Sequence, residues 1–304
     1  MFEIIKPGTK IDFLSYTKYY FTVSIILTVL CFGILLSKGF NYGIDFAGGT
    51  VIQAHFEKDP NLDEIRKAIN SAGIGDAVIQ NFGDGDDVLI RLEKLDKNLD
   101  VISKDIQNAL VQAFDSEKVE IVRIEQVGPQ VGEQLKTKAL YAVFYALIGM
   151  LIYIALRFRL IYAVGAVAAL AHDVIITLGV LSITGKEIDL TIVAAILTIV
   201  GYSINDTVIV FDRVRENLKA EGGSSLSVKD VLNRSLNETL TRTVITSGTT
   251  LFAVIALYFF GGEVINGFAF TLLIGIGFGT YSSVCVAAAI VYLLMAKKET
   301  KAIA

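Results

Sequence analysis

The feature that most constrains this chain is a series of six long apolar runs separated by polar segments. The runs lie at about residues 19–37, 139–156, 160–183, 188–211, 242–261 and 264–295. A helix needs roughly 20 such residues to cross the hydrocarbon core of a bilayer. Hydrophobic residues make up 53% of the chain, and the mean hydropathy is +0.59. Because these values exceed those of a soluble domain, we predict an α-helical polytopic membrane protein with six transmembrane helices.

The first apolar run follows three lysines, Lys6, Lys10 and Lys18, as the apolar core of a signal peptide would. It is longer than such a core, and no small-residue cleavage site follows it. We therefore expect an uncleaved signal anchor, with residues 1–18 before the first helix at 19–37. In the last run, Gly275 and Gly279 have the spacing that allows close helix contact, although they could instead mark a kink.

Basic residues in short loops predict the orientation of the helices. If the amino end is cytoplasmic, 14 of the 27 basic residues lie on the cytoplasmic side, and the short opposite loops hold only Lys186. The other 12 lie in residues 38–138, a segment long enough to be translocated regardless of charge. We expect cytoplasmic termini, an extracytoplasmic domain at 38–138, and five further helices at 139–296. A cytoplasmic loop at 212–241 and a tail at 297–304 complete this prediction.

Residues 38–138 are polar, with 18 acidic and 12 basic side chains. Period-two alternation predicts strands at 50–57, 76–82, 87–93 and 118–127, and amphipathic patterns predict helices at 61–73 and 98–114. The order β-α-β-β-α-β is typical of an α+β ferredoxin-like domain. No nucleophile, acid–base pair or metal-ligand cluster is evident, so we interpret the domain as a binding or lever module and not as an enzyme.

Asp206 is a carboxylate within the fourth apolar run, about five residues before its predicted end near Phe211. Arg242 lies in the first turn of the fifth helix, which is predicted to begin near Thr241. Adjacent antiparallel helices would bring the two charges to a similar depth, where they could pair. A charge inside a membrane helix is costly and usually faces a partner or a water-filled cavity. Polar groups that could relay a proton surround them: Tyr202, Ser203, Asn205, Thr207, Thr241, Thr243, Thr246, Ser247, Thr249 and Thr250.

The third helix carries His172 and Asp173 near its middle. Neighbouring helical residues point about 100° apart, so we expect one of the two to face the interior. Asp206, Arg242 and Asp173 allow two interpretations: a proton or ion pathway, or structural pairing that fixes helix packing. Arg242 is long enough to reach the membrane surface instead.

The polar segment between the fourth and fifth helices contains Ser227, a good helix N-cap. We predict a short interfacial helix after it, with Val228, Val231, Leu232 and Leu236 on one face. A docking site for a cytoplasmic partner is the alternative.

Several motifs resemble the SecD and SecF family of protein-export proteins. The stretch FNYGIDFAGGT (40–50) resembles the family's Gly-x-Asp-Phe-x-Gly-Gly box, through Gly43, Asp45, Phe46, Gly48 and Gly49. VGPQVGEQL (127–135), with Gly128, Pro129 and Gly132, resembles the box before the second helix. The SecF branch in particular is resembled by AHDVIITLG, GYSINDTVIVFDRVREN, SLNETLTRTVITSGTTL and GTYSS, which begin at residues 171, 201, 235 and 279.

The resemblance implies half of a twelve-helix unit of the resistance-nodulation-division (RND) superfamily, completed by SecD in the bacterial cytoplasmic membrane. That unit would use the proton motive force to assist SecYEG with unfolded exported proteins after the SecA step, with YajC often associated and without a cofactor. By motif, Asp206 and Arg242 match the proton-pathway carboxylate and its arginine, with Asn205 and Thr207 beside the former. The motif does not settle a role for Asp173, and the glycine pair at 48–49 is expected to shape a bend.

Two other functions remain to be weighed. A small-molecule or lipid exporter of the same superfamily would have a larger external region with an apolar cleft, which the compact segment 38–138 argues against. A structural assembly subunit without proton coupling is consistent with the sequence.

Overall fold

A computed structural model describes residues 9–58, 60–74, 77–82, 86–92, 99–114, 119–220 and 226–303. The helices are α1 (Thr17–Lys38), α2 (Ile44–Ala47), α3 (Leu62–Ser71), α4 (Leu99–Phe114), α5 (Pro129–Arg157), α6 (Leu160–Thr184), α7 (Leu190–Ala220), α8 (Val228–Phe260), α9 (Glu263–Ser282) and α10 (Ala288–Ile303). The strands are β1 (Asn41–Tyr42), β2 (Gly49–Phe56), β3 (Ala77–Phe82), β4 (Asp87–Leu92), β5 (Val119–Val127) and β6 (Glu187–Ile188). A 3₁₀ turn, Leu14–Tyr16, precedes α1, and a π-helical turn, Ser283–Ala287, joins α9 to α10.

Six helical segments within the described ranges are long and apolar enough to cross a membrane, as predicted. They are α1 with its preceding turn, α5, α6, α7, α8, and α9 continued into α10. The spans on α6, α7 and α9–α10 are half buried or more in the single chain, whereas those on α1, α5 and α8 are mostly uncovered. The three central helices therefore form the interior of the bundle.

The helix after Ser227 is much longer than predicted. Ser227 caps it, because its side chain accepts a hydrogen bond from the backbone N–H of Asp230 at 3.2 Å. However, α8 then continues without a break for 33 residues to Phe260. The separate interfacial helix and a fifth helix beginning near Thr241 were therefore wrong. No glycine or proline lies between residues 228 and 242 to end a helix, so the polar first half simply continues into the apolar second half.

The contact between α9 and α7 is close because two glycines lie at it, as the small-residue spacing predicted. A Cβ placed on Gly275 would lie 2.1 Å from Cδ1 of Ile199, and one on Gly279 would lie 3.2 Å from the Cβ of Ser203. Four residues after Gly279, the π-helical turn interrupts the helix. The sixth apolar run is thus one span that contains a π-helical turn.

The extramembrane domain is a four-stranded antiparallel sheet in the order β3-β4-β2-β5, with α3 and α4 on one face. Ile52 and Ile90 from the sheet pack with Ile65 and Ile106 from the helices, and all four are fully buried. The predicted element order β-α-β-β-α-β is present. Since strand side chains alternate, Arg91 projects from the opposite face of the sheet, which none of the described helices of the domain covers.

A small joint connects this domain to the bundle. The strands β1 and β6 pair in parallel, and the N–H of Gly43 donates to the carbonyl of Ile188 at 2.9 Å. Beside the joint, a cleft of about 540 Å³ lies between the uncovered sheet face and the ends of α6, α7 and α9. The joint thus brings the domain against the loop between α6 and α7.

Candidate functional site

The inward face of α7 carries polar groups at helical spacing. Ser203, Asp206 and Thr207 are all buried there, followed one turn later by the apolar Val210. Residues separated by three or four positions share one face of a helix, so the sequence itself places these groups together. Asn205 lies on the exposed side of the same helix. Of the two polar neighbours predicted to accompany Asp206, Thr207 is therefore part of the buried face and Asn205 is not.

Asp206 is the buried carboxylate at the α7–α8 contact, with only 1% of its surface exposed. Its Oδ2 accepts a hydrogen bond from the Ser247 hydroxyl of α8 at 3.3 Å. Ser247 in turn accepts one from Thr280 of α9 at 2.8 Å. The other carboxylate oxygen, Oδ1, has no hydrogen-bond partner in the described structure. A relay of two hydroxyls thus connects Asp206 to α9.

Arg242 does not form the direct ion pair with Asp206 that the sequence suggested. Within the described residues, no nitrogen of Arg242 lies within 4.0 Å of the Asp206 carboxylate. Arg242 is exposed on α8, five positions before Ser247, and interacts with Asp206 only through its charge. Ser247, which the sequence placed among many nearby hydroxyls without singling it out, is the α8 residue that contacts Asp206.

Asp173 is a second buried carboxylate, located where α6, α7 and α9 meet. Its Oδ2 accepts hydrogen bonds of 2.7 Å from Ser203 of α7 and of 2.7 Å from Ser282 of α9. Its Oδ1 lies 2.9 Å from Nδ1 of His172, and both residues are buried. The expectation that only one of this adjacent pair faces the interior was wrong, because the ring of His172 folds back onto its neighbour and packs against Phe278 and Tyr281 of α9.

A third polar contact joins α7 to the π-helical turn that follows α9. The Thr207 and Ser283 hydroxyls share a hydrogen bond of 2.9 Å, and Ser283 donates to the carbonyl of Ser203 at 3.3 Å. Hydroxyl and carboxyl groups therefore line the α7–α9 contact from Asp173 to Asp206. Ser282 and Ser283 were not predicted as site residues, although both belong to the GTYSS motif.

The residues of the two glycine-containing motifs lie at the joint. Gly48 and Gly49 have φ angles of 74° and 119°, which favour glycine, where α2 ends and β2 begins. A Cβ on Gly132 would lie 3.0 Å from the carbonyl oxygen of Phe46, so the first turn of α5 packs directly under α2. Gly128 is the N-cap of α5 and Pro129 its first residue, while Asp45 Oδ2 accepts from the N–H of Leu190 at 2.9 Å.

Six membrane-spanning helices with buried carboxylates, and one α+β domain inserted after the first, define a polytopic membrane protein with a polar interior. A family model described as "Protein export membrane protein SecD/SecF, C-terminal" matches residues 106–297, and the "SecD/SecF GG Motif" model matches residues 33–60. The chain belongs to the SecF family of protein translocase subunits. Membership in this family assigns it a transport role in protein export.

Similar proteins extend this result over nearly the whole chain. The SecF subunit of Calditerrivibrio nitroreducens is 52% identical, with 98% of each chain covered. That of Vibrio alginolyticus is 47% identical over 98% of this chain and 94% of its own. The crystal structure of SecDF, a translocon-associated membrane protein from Thermus thermophilus, superposes with a TM-score of 0.85 at 37% identity. The match covers 95% of this chain but only 39% of the SecDF chain, so the known structure contains a further, larger part.

Proposed function

We propose that this chain is the SecF half of a SecDF complex that uses the proton motive force to assist protein export through SecYEG after the SecA-driven step. The observation that carries the proposal is the environment of Asp206. A carboxylate that is 1% exposed and accepts one hydroxyl hydrogen bond has little to stabilise its charge. Such a group suits uptake and release of a proton, and the hydroxyls of Ser247 and Thr280 suit its transfer.

The uncovered helices support a partner half. Within the single chain, one face of α8 carries Ser247 and contacts α7 at Asp206. Arg242 and much of the apolar surface of α8 remain exposed. Many transporters place their ion sites at the contact between two structural repeats. We propose that SecD covers this side and completes the proton pathway, in which Asp206, Thr207 and Arg242 take part. The matching SecDF structure, in which this chain corresponds to one part, is consistent with this arrangement.

The location and further partners follow from charge and family. The excess of basic residues in the short loops supports cytoplasmic termini and an extracytoplasmic domain in the bacterial inner membrane. Association with YajC and functional cooperation with SecA belong to the same proposal, on the strength of the motif resemblance alone. The external domain would then lie on the side where exported unfolded polypeptides emerge.

The decisive experiment compares Asp206→Asn with Asp212→Asn in membrane vesicles that contain the complete export machinery. Asp212 lies on the same helix at a partly exposed position and is bound by Arg157 at 2.8 Å and by Arg215 at 3.1 Å, so it controls for a lost charge. We expect Asp206→Asn to remove the stimulation of export by a proton gradient and Asp212→Asn to retain it. Co-purification with SecD measures assembly separately. Normal export in Asp206→Asn, or a loss that follows failed assembly, would refute proton coupling.

A structural subunit without proton coupling is the second candidate. The hydrogen bonds that hold Asp173 between three helices favour it for that residue. Asp206, with one oxygen unpartnered in the described structure, is less suited to a purely structural role. The vesicle comparison separates the two functions, since a structural carboxylate affects assembly before it affects the response to a gradient.

A further inference from the structure

The loop between α6 and α7 contacts the extramembrane domain through several side chains, and two of these contacts lie close to the start of α7. Asp45, from α2 at the root of the domain, accepts a hydrogen bond from the N–H of Leu190, the first residue of α7. Arg91, from β4 in the body of the domain, forms an ion pair with Glu187, which precedes Leu190 by three residues. Both contacts fall on one short stretch, residues 187–190, which leads directly into α7.

The root of the domain is held against the start of α7 by backbone contacts. The β1–β6 pairing and the hydrogen bond from Gly43 to Ile188 place α2 against the same stretch. On its other side, α2 packs on the first turn of α5, where Gly132 leaves no room for a side chain. Asp45 therefore lies between β6, the first turn of α5 and the start of α7.

The helix α7 connects this joint to Asp206. It runs without interruption from Leu190 to Ala220 and contains no proline. Leu190 and Asp206 are 16 positions apart, which corresponds to about 24 Å along a straight helix at 1.5 Å per residue. A shift or rotation of α7 at Asp206 is thus carried to Leu190 and to the two contacts there.

We propose that Asp45 and the Arg91–Glu187 pair are positioning residues that transmit movement of α7 to the extramembrane domain. This inference rests on the proposed proton coupling at Asp206. Away from the joint, the cleft of about 540 Å³ separates the uncovered sheet face from the helix ends, so the domain has room to tilt. The contacts at residues 187–190 would then determine whether the extramembrane domain tilts when α7 moves.

The test uses the complex with SecD, reconstituted in vesicles, and two readouts. The first is the stimulation of export by a proton gradient. The second is the distance between spin labels at Lys67 of α3 and Ile183 of α6, both exposed, after Cys31→Ala and Cys285→Ala replacements. The variants are Asp45→Ala, Asp45→Asn and Arg91→Met. Arg123→Met is the matched control, because Arg123 pairs with Glu125 on the same sheet and not with the loop.

We expect Asp45→Ala and Arg91→Met to lower the gradient stimulation by about fivefold or more, as for an energetic coupling between distant sites. The gradient-dependent change in label distance should disappear in both. Asp45→Asn keeps an acceptor for the Leu190 N–H, so it should retain most of both responses, as should Arg123→Met. The exchange Arg91→Glu with Glu187→Arg should recover part of the loss.

The outcomes separate this inference from the function it rests on. Normal stimulation of export in Asp45→Ala, together with a defect in Asp206→Asn, would refute the proposed role of the joint. It would leave the proposed proton coupling unaffected. The proposed role of the joint would also be refuted if the distance between the labels in the unsubstituted complex did not change with the proton gradient. Normal export in Asp206→Asn would refute proton coupling at Asp206, and therefore also the role of the joint that rests on it.

Discussion

Ser282 of α9 donates a 2.7 Å hydrogen bond to Asp173 of α6, and both residues are inaccessible to solvent. The same carboxylate oxygen also accepts from Ser203 of α7. Hydroxyls from α7 and α9 therefore both donate to the Asp173 carboxylate of α6. The other buried carboxylate, Asp206, accepts a single and longer hydrogen bond. Asp173 is thus the more fully hydrogen-bonded of the two carboxylates, as expected if Asp173 fixes the helix packing and Asp206 is the group proposed to exchange a proton.

Removing either hydroxyl from Asp173 should destabilise the bundle. We expect Ser282→Ala and Ser203→Ala each to cost about 1–3 kcal/mol, because each leaves a buried charged group with one donor fewer. Unfolding in detergent, followed by circular dichroism, measures this cost. The double variant should be non-additive, since both serines share one acceptor. Thr198→Val is the control, as that exposed hydroxyl bonds only within its own helix. Equal losses in the control and the serine variants would contradict the assignment.

The contact between α1 and α6 depends on Gly179. A Cβ there would lie 2.4 Å from the Cβ of Cys31, so Gly179→Ala should cost about 1–3 kcal/mol through overpacking. The thermal unfolding midpoint in detergent reports the change. The double variant with Cys31→Gly removes the obstructing atoms and should recover part of the loss. Gly33→Ala, on the same α1 helix with open space around it, should be neutral or slightly stabilising.

The contact between the segment before α1 and α8 should weaken in acid. The Ser15 hydroxyl, with further hydrogen bonds from Asn233 and Lys229, lowers the pKa of Asp12 from 3.8 to about 2. Because the pKa is lower in the docked state, the stabilisation is present above about pH 4 and is lost as the pH falls toward 2. Phe13→Trp provides a single fluorescent reporter in a chain with no tryptophan.

In that reporter background, the emission should shift as the pH is lowered through this window. Asp12→Ala should show the acid-like spectrum already at neutral pH and no step on acidification. A step that persists in Asp12→Ala would show that another group is responsible.

Arg242 should support proton-coupled export through its charge and not through a direct contact. We expect Arg242→Met to reproduce the export defect of Asp206→Asn, measured as gradient-stimulated export in vesicles. Arg242→Lys should retain a larger share, because an exposed side chain without a direct bond to Asp206 does not depend on guanidinium geometry. Unimpaired export in Arg242→Met would remove Arg242 from the proposed pathway.

The sequence predicted the helices and the domain well because both depend on local periodicity. Long apolar runs define membrane helices by length alone, and the alternation in residues 50–57 defines β2 without reference to anything distant. The spacing of Ser203, Asp206 and Val210 also contains the buried face of α7, although it was not predicted and Asn205 was wrongly expected beside Asp206. Helix ends were less reliable, since the polar half of α8 contains no residue that would end it.

The contacts between elements were harder to foresee. Periodicity predicts which face of α9 is apolar, but not that Ser282 meets α6 while Thr280 meets α8. The expected Asp206–Arg242 pair assumed that equal depth brings charges together, whereas the rotation of α8 presents Ser247 instead. The Arg91–Glu187 pair lies beyond any local pattern, because its members belong to different parts of the chain.

The π-helical turn at Ser283–Ala287 has a consequence for which sequence changes this protein can accept. A π-helical turn takes up one residue more than an α-helical turn, so the helix continues in phase on both sides of it. Deleting one residue between 283 and 287 should therefore restore a regular α-helix without rotating α10 relative to α9. The same deletion within α9 would rotate the parts of the helix before and after it by about 100° relative to each other. This turn is thus the place in the sixth span where the length of the chain can change by one residue.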